Sequence, residues 1–423
     1  MVACGDIRTP GKIQTILRRM DEMKISIIGG CGHIGLPLGI VLARSGFSVD
    51  LIDINLDAVE MVNSGKLPFM EDDAEVILEE VLMQGKIKAT TDMAAISTSD
   101  VIFVTIGTPV DEHQSPVPRI FSDFLESIED FLKPGQTMVL RSTVYPGTSE
   151  WLSRKLSSLG VDLAFAPERI VQGKAISELY SLPQITSAST PSALEKIDFI
   201  FSKFSPEIIH SSLAEAEFAK LFLNAYRYIQ FAATNQFFML AETAGVDYAN
   251  VYRVMTSGYD RAKGFPRAGL SAGPCLLKDT QQLLAFGQNQ FQIGNAAILV
   301  NEGLALRLVS IAEEVADLPN STIGVLGMAF KADNDDIRSS LSYRVRKMLQ
   351  LKAKRVLSSD PYVKNDVTLI SEEQLIENSD VIILCTPHDR YKDIDFGGKV
   401  VIDIWNLQNK GLLFRSPQNL RTK

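Results

Sequence analysis

The stretch KISIIGGCGHIGLPLGIVLARSGFSVDLIDI, residues 24–54, decides the fold. Its opening KISIIGG is an apolar run that breaks into glycines, as a buried parallel strand does where it ends in a turn. A helical pattern runs from Ile34 to Ser45 and stops at Gly46, and FSVDLIDI (47–54) reads as the next strand. Between first strand and helix stands Gly30-Cys31-Gly32-His33-Ile34-Gly35, a G-x-G-x-x-G in strand–turn–helix context. Gly30 permits the tight turn, Gly32 lets the backbone approach a pyrophosphate at the helix N-terminus, and Gly35 allows close helix–strand packing. Asp53 closes the second strand about 20 residues on, where a carboxylate binds the ribose 2′-hydroxyl of NAD and repels the 2′-phosphate of NADP. A structural turn, with Asp53 as a strand-end cap, is the bland alternative. The context and the acid together favour an NAD site built from Gly30, Gly32, His33, Ile34, Gly35 and Asp53.

Outward from that unit the alternation continues. DVIFVTIGTP (100–109), QTMVLRSTVYPG (136–147), VDLAFAPER (161–169) and a weaker strand near Gln184–Ser187 are separated by helical stretches, which indicates a mainly parallel, doubly wound sheet. From Ser212 to Met255 the pattern is helical throughout, broken only near its end by Gly245: one long helix or two nearly continuous ones, buried between domains or subunits. A Gly- and Pro-containing loop (257–275) and helical patterns at 278–288 and 294–316 follow. At Ser321 strands return, as STIGVLGMAF, KRVLSSDP, DVIILCTP and KVVIDIWN. The expected architecture is α/β, with an N-terminal extension (1–23), a first α/β domain (24–211), a helical centre (212–316) and a second α/β domain (317–423). Met20 and Met23 are equally placed as natural starts.

The 423 residues fit about two to three domains. With 46% apolar and 22% charged residues the chain is an ordinary globular one, which excludes disordered, collagenous and coiled-coil classes. A formal net charge of −9 argues against general binding to nucleic acid or anionic membranes. No stretch reads as approaching the roughly 20 apolar residues that span a bilayer. Residues 1–23 lack the apolar core of a secretory signal. Four cysteines are too sparse for a disulfide framework and fit a reducing cytoplasm.

Two polar loops, Gly107-Thr108-Pro109 and Arg141-Ser142-Thr143-Val144-Tyr145-Pro146-Gly147, follow strand carboxyl ends, where ligands sit in open α/β sheets. Gly273-Pro274-Cys275-Leu276-Leu277-Lys278-Asp279 places a thiol at a helix start beside a lysine, a setting that favours the thiolate. Cys4, Cys31 and Cys385 lack such context and read as small buried apolar residues. Lys220 and Asn224 stand i,i+4 on one face of the long helix. Such a pair is ordinarily a solvated face, but Leu221, Phe222 and Leu223 indicate a mostly buried helix, where ammonium and amide can stabilise an oxyanion.

The chain resembles the UDP-glucose/GDP-mannose dehydrogenase family of nucleotide-sugar 6-dehydrogenases. The resemblance runs from about Lys24 to Asn406 and rests on GCGHIGLPL (30–38), GTPVDEH (107–113), STVYPGT (142–148), APERIVQGKA (166–175), KLFLNAYR (220–227), AGPCLLKD (272–279) and GMAFKADNDDIRSS (327–340), in order. It implies two Rossmann-like domains joined by a long dimer-forming helix, with NAD on the first, UDP on the second and no metal. It also implies a four-electron oxidation of a sugar C6 hydroxymethyl, with Cys275 forming a thiohemiacetal and then a thioester. By resemblance Lys220 and Asn224 stabilise oxyanions, Asp279 assists proton transfer or positions water, Glu168 helps hydrolysis at the sugar side, and Thr143 orders a water. Thr108, Thr143 and Arg338 join the cofactor contacts. Glu168, Arg169, Lys220, Asn224, Gly273, Phe330 and Lys331 join the substrate contacts, with Arg261 or Arg267 reaching the substrate of a neighbouring subunit. PVDEH and AGPCLLKD look like the branch acting on UDP-N-acetylmannosamine or UDP-N-acetylglucosamine, with UDP-glucose as the competitor. The chain departs from the family pattern at Leu341, where a proline is usual, at Asn235-Gln236, and in the short segment before Cys275. A two-electron β-hydroxyacid dehydrogenase shares the Rossmann-plus-helix plan but needs neither Cys275 nor the second α/β domain. A nucleotide-sugar-binding protein without activity would not need the set Cys275, Lys220, Asn224 and Asp279.

Overall fold

The computed structural model describes residues 20–111, 115–117, 119–271, 273–288 and 290–410. Cys4 and most of the N-terminal extension, Glu112 and His113 of the GTPVDEH run, and Ala272 lie outside them. The chain divides into two compact units, one ending at Phe222 and the other beginning at Leu223.

In the first unit the order is β1 (Lys24–Ile28), α1 (Gly35–Arg44), β2 (Ser48–Ile52), α2 (Leu56–Asn63), α3 (Ala74–Met83), β3 (Ile87–Thr90), β4 (Val101–Val104), α4 (Ile120–Ile128), β5 (Thr137–Leu140), α5 (Thr148–Ser157), β6 (Asp162–Phe165), α6 (Ala175–Ser181), β7 (Gln184–Ala188), α7 (Pro191–Ser202) and β8 (Ile208–His210). The sheet runs β3-β2-β1-β4-β5-β6-β7-β8, parallel except where β7 pairs antiparallel with β6. Alternate strand residues serve opposite cores, because helices cover both faces. Ile25, Ile27 and Phe103 pack with Leu36 and Ile40 of α1, while Ile28, Ile102 and Val104 pack with Leu125 and Leu152. β3 and β8 were not legible as strands. IKAT exposes its lysine at one sheet edge, and IIH at the other edge has no buried residue.

Helix α8 (Leu213–Thr243) begins in the first unit and runs into the second; Gly245, at φ 68°, follows its end and α9 (Tyr248–Thr256) comes next. The helix is long and nearly continuous, as expected, but one expectation fails. Leu221 is buried, whereas Phe222 and Leu223 lie on an exposed side of the helix in the single chain.

The second unit continues with α10 (Leu276–Phe286), α11 (Gln292–Val315), β9 (Thr322–Leu326), α12 (Leu341–Gln350), β10 (Arg355–Ser359), α13 (Glu372–Asn378), β11 (Val381–Leu384) and β12 (Val400–Asp403). Its sheet, β10-β9-β11-β12, is parallel throughout. Leu341 takes the first position of α12 behind the N-cap Ser340, where a proline is also favoured, and buries its side chain in the core. The expectation of no membrane-length apolar stretch needs correction: α11 is long and apolar enough to cross a bilayer by length and composition. Here Leu304, Leu308 and Ile311 face the core, and the buried Asn301 donates to the Tyr228 carbonyl at 3.0 Å.

Candidate active site

In the first unit the site lies at the strand carboxyl ends. Gly29 makes the left-handed turn after β1, with φ 76°. Gly30, expected to serve that turn, is required for a different reason: a Cβ there would stand 2.8 Å from the Leu51 Cα of the adjacent strand. A Cβ at Gly35 would collide with the Gly29 carbonyl, so the helix packs onto the strand as expected. Gly32 has only the Gly29 carbonyl near its missing Cβ, at 3.4 Å, and α1 starts with neither a side-chain cap nor an acid in its first turn. That cradle fits a pyrophosphate. Asp53 stands beside it, its Oδ2 accepting from the Cys31 N–H at 3.0 Å and its Oδ1 from Asn55 N–H at 3.1 Å. The observed residues therefore fit NAD. The His33 ring lies on Phe69, with centroids 4.0 Å apart, and Ile34 is the N-cap residue of α1. Thr108 Oγ1 donates to the Thr143 carbonyl at 2.7 Å, which joins the two polar loops. Thr105, missed in the sequence, donates from Oγ1 to the Ile28 and Gly29 carbonyls at 2.9 and 3.0 Å and steadies the glycine turn.

Glu168 is buried, and its carboxylate is held on several sides. Oε1 accepts from the Arg169 and Ile170 N–H groups at 2.7 and 3.1 Å, and Oε2 pairs with Arg141. Burial and the Arg169 charge press the fully buried Arg141 guanidinium downward, and Glu168 supplies the counter-charge. Arg169 itself bonds the Pro183 carbonyl. Arg141 stood in plain view in the RSTVYPG run, but its burial was not legible. Glu217 was also missed. It is buried in the first turns of α8 and accepts the N–H groups of Gly147 and Ser149, both at 2.6 Å, so it caps α5 and ties the STVYPGT loop to the helix that carries Lys220 one turn later. Burial pushes its carboxyl up despite those bonds.

In the second unit Cys275 is exposed and is the N-cap residue of α10, the helix-start position expected of it. Cys31 and Cys385 are buried, as expected, and burial pushes both thiols up to about 12. Behind Cys275 the fully buried Asp279 accepts from Asn224 Nδ2 at 2.6 Å and from Lys278 Nζ at 2.6 Å. Asn224 is buried one turn beyond the half-buried Lys220 on α8. Gly273, at φ 113°, lies against the Phe330 ring, where a Cβ would come within 2.8 Å. The adjacent Lys331 is half-buried. Arg338 is held charged chiefly by its hydrogen bonds to Asp336, with a further contribution from Cys275. Asn235 donates to the Gly269 carbonyl at 3.1 Å and accepts the Gly269 N–H at 2.9 Å, which fixes the short segment before Cys275. The two loop arginines separate: Arg261 lies by the Tyr259 ring, and Arg267 lies 5.8 Å from the Tyr252 ring at a cavity of about 590 Å³.

Three parts of one family model match in succession: the NAD binding domain of the UDP-glucose/GDP-mannose dehydrogenase family over residues 23–205, its central domain over 214–303 and its UDP binding domain over 324–410. The chain is 30% identical over 419 residues to a UDP-N-acetyl-D-mannosamine dehydrogenase of Pyrococcus horikoshii, covering 93% of this chain and 98% of that one. It is 27% identical to an NDP-N-acetyl-D-galactosaminuronic acid dehydrogenase of Ralstonia nicotianae, over 91% and 96% of the two chains. The solved structure of a UDP-D-ManNAc dehydrogenase from Pyrococcus horikoshii superposes with a TM-score of 0.84 at 27% identity, covering 91% of this chain and 96% of that one. The chain therefore belongs to the UDP-glucose/GDP-mannose dehydrogenase family, and it is an NAD-dependent nucleotide-sugar dehydrogenase.

Proposed function

We propose that the enzyme oxidises the C6 hydroxymethyl of a UDP-N-acetylhexosamine to the carboxylate, with UDP-N-acetyl-D-mannosamine first and UDP-N-acetylglucosamine second, through covalent intermediates on Cys275. The observation that carries the reading is an exposed thiol at a helix N-cap, backed by the buried Asn224–Asp279 pair. The N-acetylmannosamine relative supports the choice of sugar.

The overall change removes four electrons from C6. NAD⁺, when bound, accepts a hydride at each of the two oxidations. At the aldehyde stage the Cys275 thiolate adds to C6, forming an S–C bond while the carbonyl oxygen takes a proton; this thiohemiacetal keeps the half-oxidised sugar on the enzyme. Loss of the hydroxyl proton and a second hydride leaves a thioester. Water then adds to its carbonyl, the C–S bond breaks, and the thiolate leaves with the carboxylate as product. The Lys220 ammonium and Asn224 amide stabilise the oxygen anions formed on the way. Asp279 orients the Asn224 amide through its 2.6 Å bond and takes or positions the proton of the attacking water. Glu168, held in place by Arg141, and Thr143 order that water. Phe330, Lys331, Gly273 and Arg169 bind the UDP-sugar, with Arg261 or Arg267 serving the partner's substrate. Arg338 supplies positive charge at Cys275.

The first α/β domain (24–211) takes the cofactor, the second (317–423) takes UDP, and the helical centre (212–316) forms a homodimer. Its interface is the apolar stripe of α8, where Phe222, Tyr226, Phe237 and Leu240 are exposed at helical spacing. Free Cys31 and Cys385 suit a reducing cytoplasm. Purified enzyme and NAD⁺ assayed against UDP-N-acetylmannosamine, UDP-N-acetylglucosamine and UDP-glucose test the substrate. Preferred turnover of UDP-glucose would reassign it.

A further inference from the structure

The mechanism above uses no histidine, yet His388 is fully buried beside the loop that carries Phe330, Lys331 and Arg338. That loop, 327–340, leaves β9 and returns at the N-cap of α12. Asp360, at the carboxyl end of β10, gathers its first residues: Oδ2 accepts the N–H groups of Met328 and Ala329 at 2.6 and 2.9 Å, and Oδ1 accepts that of Tyr362 at 2.9 Å. Thr386 Oγ1 donates to the Ala329 carbonyl at 2.7 Å. His388 completes the anchor from the other side. Its Nδ1 accepts the Asp333 N–H at 2.8 Å and so carries no hydrogen, which leaves Nε2–H to donate to Asp360 at 2.9 Å. The Asp333 carboxylate then accepts the Asp389 N–H at 3.0 Å. Phe330 and Lys331 thus sit between two pinned points, Ala329 and Asp333, and the Phe330 N–H closes the loop onto the Asp336 carbonyl at 2.9 Å.

We infer that His388 is a positioning residue for the reaction: its Nδ1, kept free of hydrogen by the Nε2–H bond to Asp360, holds the Asp333 N–H and so fixes the loop that presents Phe330, Lys331 and Arg338 to the Cys275 site. The inference rests on the assignment of that site above, and it separates the two halves of the histidine's role. Asn reproduces the acceptor at the Nδ1 position, whereas Gln reproduces the donor at the Nε2 position. Both reshape a buried ring, so a loss of stability alone does not distinguish them.

The test compares His388→Asn and His388→Gln in the full-length enzyme. The expected result is that His388→Gln raises KM for the UDP-sugar about tenfold while KM for NAD⁺ stays within about twofold, and that His388→Asn restores the UDP-sugar KM to within about threefold of the parent. The rate of Cys275 alkylation by iodoacetamide, which needs no substrate, falls about threefold or more in His388→Gln, where the freed loop no longer holds Arg338 at the thiol, and is restored in His388→Asn. Equal KM values and equal alkylation rates in the two variants, alongside equal losses in Tm, overturn the inference and leave His388 a packing residue. Failure of the parent enzyme to oxidise any UDP-sugar overturns the substrate assignment instead, and the alkylation rates still decide the role of His388.

Discussion

Cys275 differs from Cys31 and Cys385 in surroundings alone. It is exposed at a helix N-cap, while the other two are buried with thiols pushed up to about 12. Iodoacetamide at pH 8 should therefore alkylate Cys275 in the native protein and leave Cys31 and Cys385 unmodified until urea is added; peptide mapping by mass spectrometry reads this directly, and labelling of Cys385 before Cys275 would refute the contrast. Gly35 makes the second test at this scale. A Cβ there meets the Gly29 carbonyl and lies 2.8 Å from the Gly30 Cα, both rigid backbone. Gly35→Ala should cost about 1–3 kcal/mol by overpacking and weaken NAD⁺ binding. Gly32→Ala, whose Cβ meets nothing closer than 3.4 Å in the protein, should keep its stability and lose NAD⁺ affinity alone. Calorimetric unfolding and NAD⁺ titration of the pair distinguish packing from cofactor approach.

At the scale of elements, carboxylates tie loops to helices. Glu217 caps α5 from α8, so Glu217→Ala should lower stability by about 1–2 kcal/mol and raise KM for NAD⁺ by freeing the loop that carries Thr143; an unchanged KM with lowered Tm would confine Glu217 to capping. In the second unit Asp366 ties α12 to the segment before α13. Burial pushes its carboxyl up, but bonds from Thr368, Tyr343 and Arg346 outweigh this and hold it down to about 2. A lowered value means that the stabilisation is present above the unfolded-state value of 3.8 and is lost as pH falls from there through about 2. The urea midpoint should therefore fall over that window in the parent, and the fall should be shallower in Asp366→Asn. These ties also mark where sequence reading stops. The strands that bury both faces were legible from their apolar runs, and the glycine turn, Asp53 and Cys275 from motif context. β3 and β8 were not, because edge strands bury too little to leave a pattern. Glu217, Arg141 and Thr105 were not, because a charge or hydroxyl that will be buried looks like a solvated one until its distant partners are placed. The job of Gly30 was misread for the same reason: the Leu51 backbone that excludes a side chain comes from another strand.

For the molecule as a whole, α8 leaves an apolar stripe exposed, which the proposed homodimer would cover. Tyr226→Glu with Leu240→Glu should convert a dimer to monomer in light scattering, and a parent that is already monomeric would contradict the assignment. The chemistry makes the larger claim. On the proposed mechanism a thiol that retains the aldehyde would commit each sugar to both oxidations, so that no aldehyde escapes and the cofactor is reduced twice per turnover. Serine at position 275 cannot form the thioester, so Cys275→Ser should lower kcat by about 10³-fold or more with the fold unchanged. The most direct measurement is the ratio of NADH formed to UDP-N-acetylhexosamine consumed by the purified enzyme, followed to completion with absorbance and chromatography. A Cys275-bound intermediate requires a ratio of about two, with the uronate as product; a ratio of about one, with aldehyde or ketone released, would contradict it.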